Sequence, residues 1–368
     1  ASGARITGSI NGGGGTNLLI FDTGDVDDVV AVSGGSVTVN GASQSYQNIT
    51  TVTVNSHGGA DSITVTPTSP NLPSRIEVNS ADGDDTIAVN LVAGAATTIV
   101  VDGGAPSSSD SLTVNGTANA DVINVIKSQV IYGSTIINLS AIEQLSVKGG
   151  GGADQITLTG TSGSSSVELL GEGEDDSITV TYPVTTGSLV VNGGTGSNNQ
   201  LTVNLTNNAE TVAVDGDSID VSGTTAVQYS NLALLTLNTL GGADIITVNG
   251  THAGSTQINT GAGADQITIA QSSGVMTINA GTEADTINVR AIGAATTINA
   301  GSGNDVINVG SLAPATGVNV NAIGALLTIN GEGNSDTLNI DDSGDVNANN
   351  GTLTNNSLTG LGMLQGIA

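Results

Sequence analysis

Cysteine and tryptophan are absent from this 368-residue chain, phenylalanine occurs once and tyrosine four times. Phe21, Tyr46, Tyr132, Tyr182 and Tyr229 are too few rings for the usual aromatic-filled compact core. The lack of cysteine leaves the redox compartment open. Cations are nearly as scarce: 5 Lys and Arg stand against 33 Asp and Glu, a formal net charge of −28 at pH 7. That balance excludes nucleic acid as a partner and disfavours docking on anionic lipid. No apolar run reaches the roughly 18 residues that a membrane-spanning helix requires, so membrane insertion is not expected. No Pro-rich or charge-rich linker divides the chain, and one elongated body is the simpler expectation.

What is present is Val, Ile, Leu, Ala and Thr, punctuated by 53 Gly. β-Branched residues between glycines suit a pleated, regularly turning chain. One run occurs three times: HGGADSITV at His57 to Val65, GGGADQITL at Gly150 to Leu158, and LGGADIITV at Leu240 to Val248. Asp61, Asp154 and Asp244 are 93 and then 90 residues apart, and Asp85, Asp176 and Asp265 keep nearly the same step. Tyr46 and Tyr229 each stand 15 residues before their aspartate, and Leu139 takes that place before Asp154.

A shorter period lies inside the long one. Asp265, Asp285 and Asp305 are 20 residues apart, and Ile267, Ile287 and Ile307 repeat with them. So do Ile258, Ile278 and Ile298, and a polar row of Asn259, Asn279 and Asn299. Each step reads as turn, strand, turn, strand, with Ile267 and Ile269 pointing one way and Thr268 the other. The pattern predicts an all-β, right-handed parallel β-solenoid of the β-helix or β-roll kind, with coils of about 20–24 residues. Stacked coils pair in parallel about 4.8 Å apart and align their Asn amides in ladders. Tandem immunoglobulin-like β-sandwiches are the alternative, since Asn40-Gly41, Asn115-Gly116 and Asn249-Gly250 are hairpin signals. Two extra 20-residue steps in the third unit favour the solenoid, which lengthens without breaking its pairing. Residues 1–17 are expected to form an N-terminal strand and Gly-rich hinge, 18–335 the solenoid with three units of about 90 residues, and 336–368 an incomplete repeat for assembly.

The runs Gly149 to Thr157, Gly261 to Ile269 and Gly301 to Val309 follow G-x-G-x-D-x-I-x and resemble the calcium-binding nonapeptide of RTX-type β-roll proteins. The resemblance implies Ca²⁺ held between coils by the aspartates and turn carbonyls. It is partial, because the Asp turn comes once per coil, Glu283 replaces a Gly, and Leu240 stands where another is expected. DTLNIDDSGD at Asp336 to Asp345, LTGLGM at Leu358 to Met363 and the GGAD runs are similar to long repetitive bacterial surface proteins and adhesins. That similarity implies a secreted or cell-surface location.

The candidate metal ligands are Asp61, Asp84, Asp85, Asp154, Asp175, Asp176, Asp244, Asp265, Asp285 and Asp305. Calcium candidates with the most charge per turn are Asp25, Asp27 and Asp28; Asp82, Asp84 and Asp85; and Glu172, Glu174, Asp175 and Asp176. Carboxylates about 4.8 Å apart repel by about 0.9 kcal/mol in water and about 3.5 kcal/mol at an effective dielectric near 20, which a hard divalent cation relieves. The alternative role is local: each Asp accepts backbone N–H groups in its own Gly turn.

His57 and His252 have no HExxH context and no third nitrogen ligand, and neither a G-x-S-x-G elbow nor a phosphate loop occurs. Catalysis is not expected. A polysaccharide-binding or polysaccharide-degrading β-helix is the alternative, with carboxylate pairs as its chemistry. The preferred reading is an extracellular filament subunit or adhesin stalk, its partners being other copies of the chain and cell-surface glycans. Ile6, Ile10, Leu358, Leu361, Met363, Leu364 and Ile367 are the expected head-to-tail assembly residues: ARITGSI at Ala4 to Ile10 reads as a tethered strand, and Gly351 to Ala368 as a pattern left uncovered.

Overall fold

The computed structural model describes residues 8–104, 109–160, 163–347 and 349–368. Among them there are 35 strands, β1–β35 in chain order, and no helix. They fall into sheets of 18 and 15 strands and a two-stranded hairpin. The chain divides into two compact units, Ala1–Ile178 with Val184–Gly196 and Thr179–Pro183 with Ser197–Ala368.

In the first unit β6 (Thr51–Asn55), β8 (Arg75–Asn79) and β10 (Thr98–Asp102) lie in the 15-stranded sheet. Between them β7 (Ser62–Thr66), β9 (Thr86–Asn90) and β11 (Ser111–Asn115) lie in the other. Each strand pairs in parallel with its equivalent one coil on, so Ile63 aligns with Ile87 and Ile87 with Leu112, all fully buried. Alternation places Val, Ile and Leu between the sheets and Thr, Ser and Asn outside. The second unit repeats this with β25 (Ile245–Val248), β27 (Gln266–Ile269), β29 (Thr286–Val289) and β31 (Val306–Val309). Ile246, Ile267, Ile287 and Ile307 form one continuous buried row. The parallel β-solenoid is therefore the fold, and the sandwich alternative falls with its requirement for antiparallel sheets.

Among the described residues three antiparallel meanders interrupt the coils, a feature the periodicity does not announce. In the first, β3 (Val29–Ser33), β4 (Ser36–Val39) and β5 (Ala42–Gln47) run back and forth within one sheet. The second comprises β12 (Val122–Ile126), β13 (Gln129–Tyr132) and β14 (Thr135–Ser140), and the third β21 (Thr211–Val214), β22 (Ser218–Val221) and β23 (Val227–Ser230). Asn40 and Gly41, both at positive φ, turn β4 into β5, so this hairpin signal belongs inside the solenoid. Asn115 and Asn249 instead stand at strand ends. The paired tyrosines belong here too: the Tyr46 hydroxyl donates to the Ser33 carbonyl at 2.5 Å, and that of Tyr229 to the Asp215 carbonyl.

The termini differ from expectation. Ile10 lies in β1 (Ile10–Asn11), which pairs with β5 of its own chain rather than standing free, while Ile6 lies outside the described residues. At the other end Leu361 and Gly362, both at positive φ, reverse the chain after the hairpin of β34 (Gly351–Leu353) and β35 (Leu358–Gly360). Residues 366–368 then run along β32 (Leu327–Asn330): Ala368 N–H donates to Leu327 and Ile329 N–H to Ala368, each at 2.9 Å. Backbone groups on the edge of β32 thus find partners within the chain. Met363 and Ile367 are buried, Leu358 and Leu361 half-buried, and Leu364 is 77% exposed.

Candidate functional site: the carboxylate rows at the corners

The corners that carry the sequence motif share one construction. A strand ends in Asn259, a small buried residue follows at Thr260, and Gly261 and Gly263 take φ of 93° and 131° before Asp265 opens the next strand. Equivalent left-handed positions are filled elsewhere by Leu240 (φ 72°) and Glu283 (φ 74°), the departures from the glycine pattern. Glu283 makes a contact glycine cannot: its Oε2 accepts the Gly263 N–H at 2.8 Å.

These turns aim each aspartate along the stack. The Oδ1 of Asp265 accepts the backbone N–H of Asp244, Asp285 that of Asp265, and Asp305 that of Asp285, at 2.8–2.9 Å. Glu210 and Asp336 extend the same row at its two ends. In the first unit Asp28, Asp61, Asp85 and Asp110 form an equivalent row that closes on Glu143. Asp121, Asp154 and Asp176 form another. That second row precedes strands of the 15-stranded sheet, whereas Asp61 and Asp244 precede strands of the 18-stranded one. The recurrence of GGAD every 90 or so residues therefore does not place its aspartates in one line.

Two of the row-opening carboxylates are well supplied with donors. Asp28 accepts from Asn40 and Gly24, and Asp121 from Tyr132 and Thr117. Burial raises the pKa of Asp28, but bonds from Thr23, Asn40 and Gly24 outweigh it and the group ends below its ordinary value. Several interior members lack such help. The second oxygens of Asp61, Asp110, Asp154, Asp244, Asp285 and Asp305 are buried with no hydrogen-bond partner. Burial pushes Asp285 up to about 7, helped by repulsion from Asp265, Asp305 and Glu283 and opposed by the Asp265 N–H. Asp154 is pushed up to about 6 by burial, with Asp176, Asp121 and Glu172 adding repulsion against the Asp121 N–H. Asp85, Asp176, Asp265 and Asp305 are raised for the same first reason, and Ser80 and Thr260 hydroxyls pull against the rise at Asp85 and Asp265.

Of the expected metal ligands, Asp61, Asp85, Asp154, Asp176, Asp244, Asp265, Asp285 and Asp305 are these buried row members. Asp84 and Asp175 lie exposed on the turns and do not join them. Among the described residues no group of three or more acidic or histidine side chains is arranged to hold a metal ion. Among the described residues Arg75 pairs with Glu77 at 2.5 Å and Lys148 with Glu172 at 3.6 Å, and the His57 ring nitrogen stands 3.8 Å from Asp22. Asp110, Asp121, Glu143, Glu210 and Asp336 were missed as row members by the motif, because several lack the Gly turn. Their signal was position alone, an acid immediately before a strand.

The amide ladder expected at Asn259, Asn279 and Asn299 is present and longer. Asn238, Asn259, Asn279, Asn299 and Asn330 each donate Nδ2 to the Oδ1 of the preceding Asn, beginning from Asn204, at 2.6–2.8 Å. A concavity of about 660 Å³ beside Pro314 contains one titratable side chain, Asp341, already engaged by Gly317 and Ser343 N–H groups. No helix among the described residues is long and apolar enough to cross a membrane. No protein-family model matches this chain, and no curated protein matches its sequence.

Proposed function

We propose that the chain is a structural protein, the subunit of an extracellular filament or the stalk of a surface adhesin, which extends by stacking copies head to tail. The observation that carries this reading is the end of the 18-stranded sheet. Among the described residues β33 (Thr337–Ile340) pairs with β31 alone, and Leu338 is 45% exposed although its register partner Ile307 is buried. Beside it lies an apolar groove of about 280 Å³ whose lining includes Ile329, Leu338, Ile340, Leu353 and Ile367. In the first unit β2 (Leu18–Asp22) likewise pairs with β6 alone, leaving Leu19 and Phe21 half-buried. An unpaired parallel edge with an apolar row behind it favours pairing with another edge of the same kind, and a contact between unlike ends repeats without closing.

Negative-stain microscopy and sedimentation of the wild type and Leu338→Asp test the reading. Fibres are expected from the wild type at high concentration, and short particles from the variant. A wild type that remains monomeric, or a variant with unchanged fibres, would overturn it. Intact-mass measurement of the natural protein distinguishes stacking from pairing with further residues of one longer chain.

A further inference from the structure

Strand β2 is apolar on both faces. Leu19 and Phe21 face the core in register with the buried Val52 and Val54, while Leu18 and Ile20 point outward, 60% and 49% exposed. The adjoining strand β6 carries Thr51 and Thr53 at those outward positions. A continuous run such as LLIF suits a strand covered on both sides, and Leu18 and Ile20 have no such cover among the described residues. The edge strand β33 offers both covers. On its core side lies the apolar groove of about 280 Å³. On its outer side lies the concavity of about 660 Å³, lined by the ladder residues Asn308 and Asn339 and walled by Ala313, Pro314 and Ala315. Leu338 and Ile340 line both. The wall belongs to residues 310–318 and is fixed in place: Arg290 Nε donates to the Ala313 carbonyl at 2.9 Å, and the Gly317 N–H to Asp341 at 2.6 Å. Charge selects among incoming strands. Residues 332–345 hold five acids, Glu332, Asp336, Asp341, Asp342 and Asp345, and no cation, whereas residues 1–21 hold Arg5 and no acid.

We propose that β2 of one copy adds in parallel to β33 of the next and seats Leu18 and Ile20 in the concavity beside Pro314, so that residues 310–318 are a docking wall for a second copy of the chain. The inference rests on head-to-tail stacking and fixes its register. On the core side Leu19 falls opposite Leu338 and Phe21 opposite Ile340; on the outer side Leu18 falls opposite Thr337 and Ile20 opposite Asn339. A slip of one residue would turn Phe21 outward, and a slip of two would leave one apolar pair unmatched. Lengths agree as well. β2 has five residues and β33 four, whereas β1, which pairs with β5 alone, has two and matches the short segment 366–368 along β32. One pair in this register is unfavourable: Asp22 meets Asp341, like charge against like.

The chain has no cysteine, so introduced thiols report the register directly. Neighbouring parallel strands stand about 4.8 Å apart, within disulfide reach. Ile20→Cys mixed with Asn339→Cys and oxidised should give a disulfide-linked pair of chains, and Ile20→Cys mixed with Val275→Cys, an exposed apolar position elsewhere, should not. Asp22→Asn removes the like-charge pair but keeps the oxygen that accepts Asn55 Nδ2, and it should lower the concentration at which fibres form about two- to five-fold. Ala315→Glu puts a charge on the exposed wall and should raise that concentration about ten-fold or more. Circular dichroism confirms that each variant is folded. Fibres that form without the Ile20→Cys to Asn339→Cys link, or that respond to neither Asp22→Asn nor Ala315→Glu, would overturn this contact and leave stacking itself standing. A wild type that does not associate at all would overturn both.

Discussion

Gly263 and Gly317 both have positive φ, 131° and 80°, yet only at Gly263 would a side chain meet the neighbouring coil. A Cβ on Gly263 would stand 1.8 Å from the Gly242 carbonyl oxygen in the neighbouring coil, whereas one on Gly317 meets nothing within 4 Å. Gly317→Ala should therefore lose only the conformational term, about 1 kcal/mol. Gly263→Ala adds a backbone collision that must displace a coil, for a total of roughly 3 kcal/mol or more. Urea unfolding of the two variants checks the difference, and equal losses would refute the role assigned to close coil approach. The sequence already marked Gly263 through its motif. It could not mark the unpartnered second oxygens of Asp154 and Asp285, because that depends on the donors reaching each row member from neighbouring coils, not on the motif the two share.

For the strands, the apolar and amide rows were legible because every coil from Gly261 to Gly310 has the same length. Ile258, Ile278 and Ile298 are fully buried, and Asn279 both donates to Asn259 and accepts from Asn299. Asn330 makes only one bond of this ladder. Asn279→Ala should cost about 1–2 kcal/mol and Asn330→Ala about half as much, on the usual net value of about 1 kcal/mol per hydrogen bond. Chemical denaturation checks the ratio. The meanders were not legible, since β3 alternates in the same way as coil strands while β4 and β5 bury one side chain each, Val37 and Tyr46, too few to show a period. Only Asn40-Gly41 showed that a chain reversal falls there. The capping of β32 by residues 366–368 was hidden for a different reason: it is a three-residue backbone contact, independent of side-chain pattern.

At the scale of the whole molecule, the long repeat and the coil are different units. From one meander to the next the chain crosses between the sheets seven times, an odd number, so successive repeats begin in opposite sheets. The individual coil returns to its starting sheet and is the module that can be added or removed. Residues 261–280 form such a module: deleting them joins Thr260 to Gly281 and brings Ile246 to Ile287, Ile258 to Ile298 and Asp244 to Asp285, like residues replacing like in every row. The shortened chain should fold with parallel-sheet circular dichroism intact. Its loss should be no more than about 1–3 kcal/mol, the share of 20 residues at about 0.05–0.15 kcal/mol each. Deleting residues 261–270 alone removes β27 but keeps β28 (Met276–Asn279), which would then have to occupy a position in the opposite sheet, with its buried Met276 and Ile278 in the wrong register. That shorter deletion should unfold the second unit although it removes half as much chain. Limited proteolysis and thermal melting of the two forms check this, and a half-coil deletion more stable than the full-coil deletion would show that the coil is not the cooperative element of the solenoid.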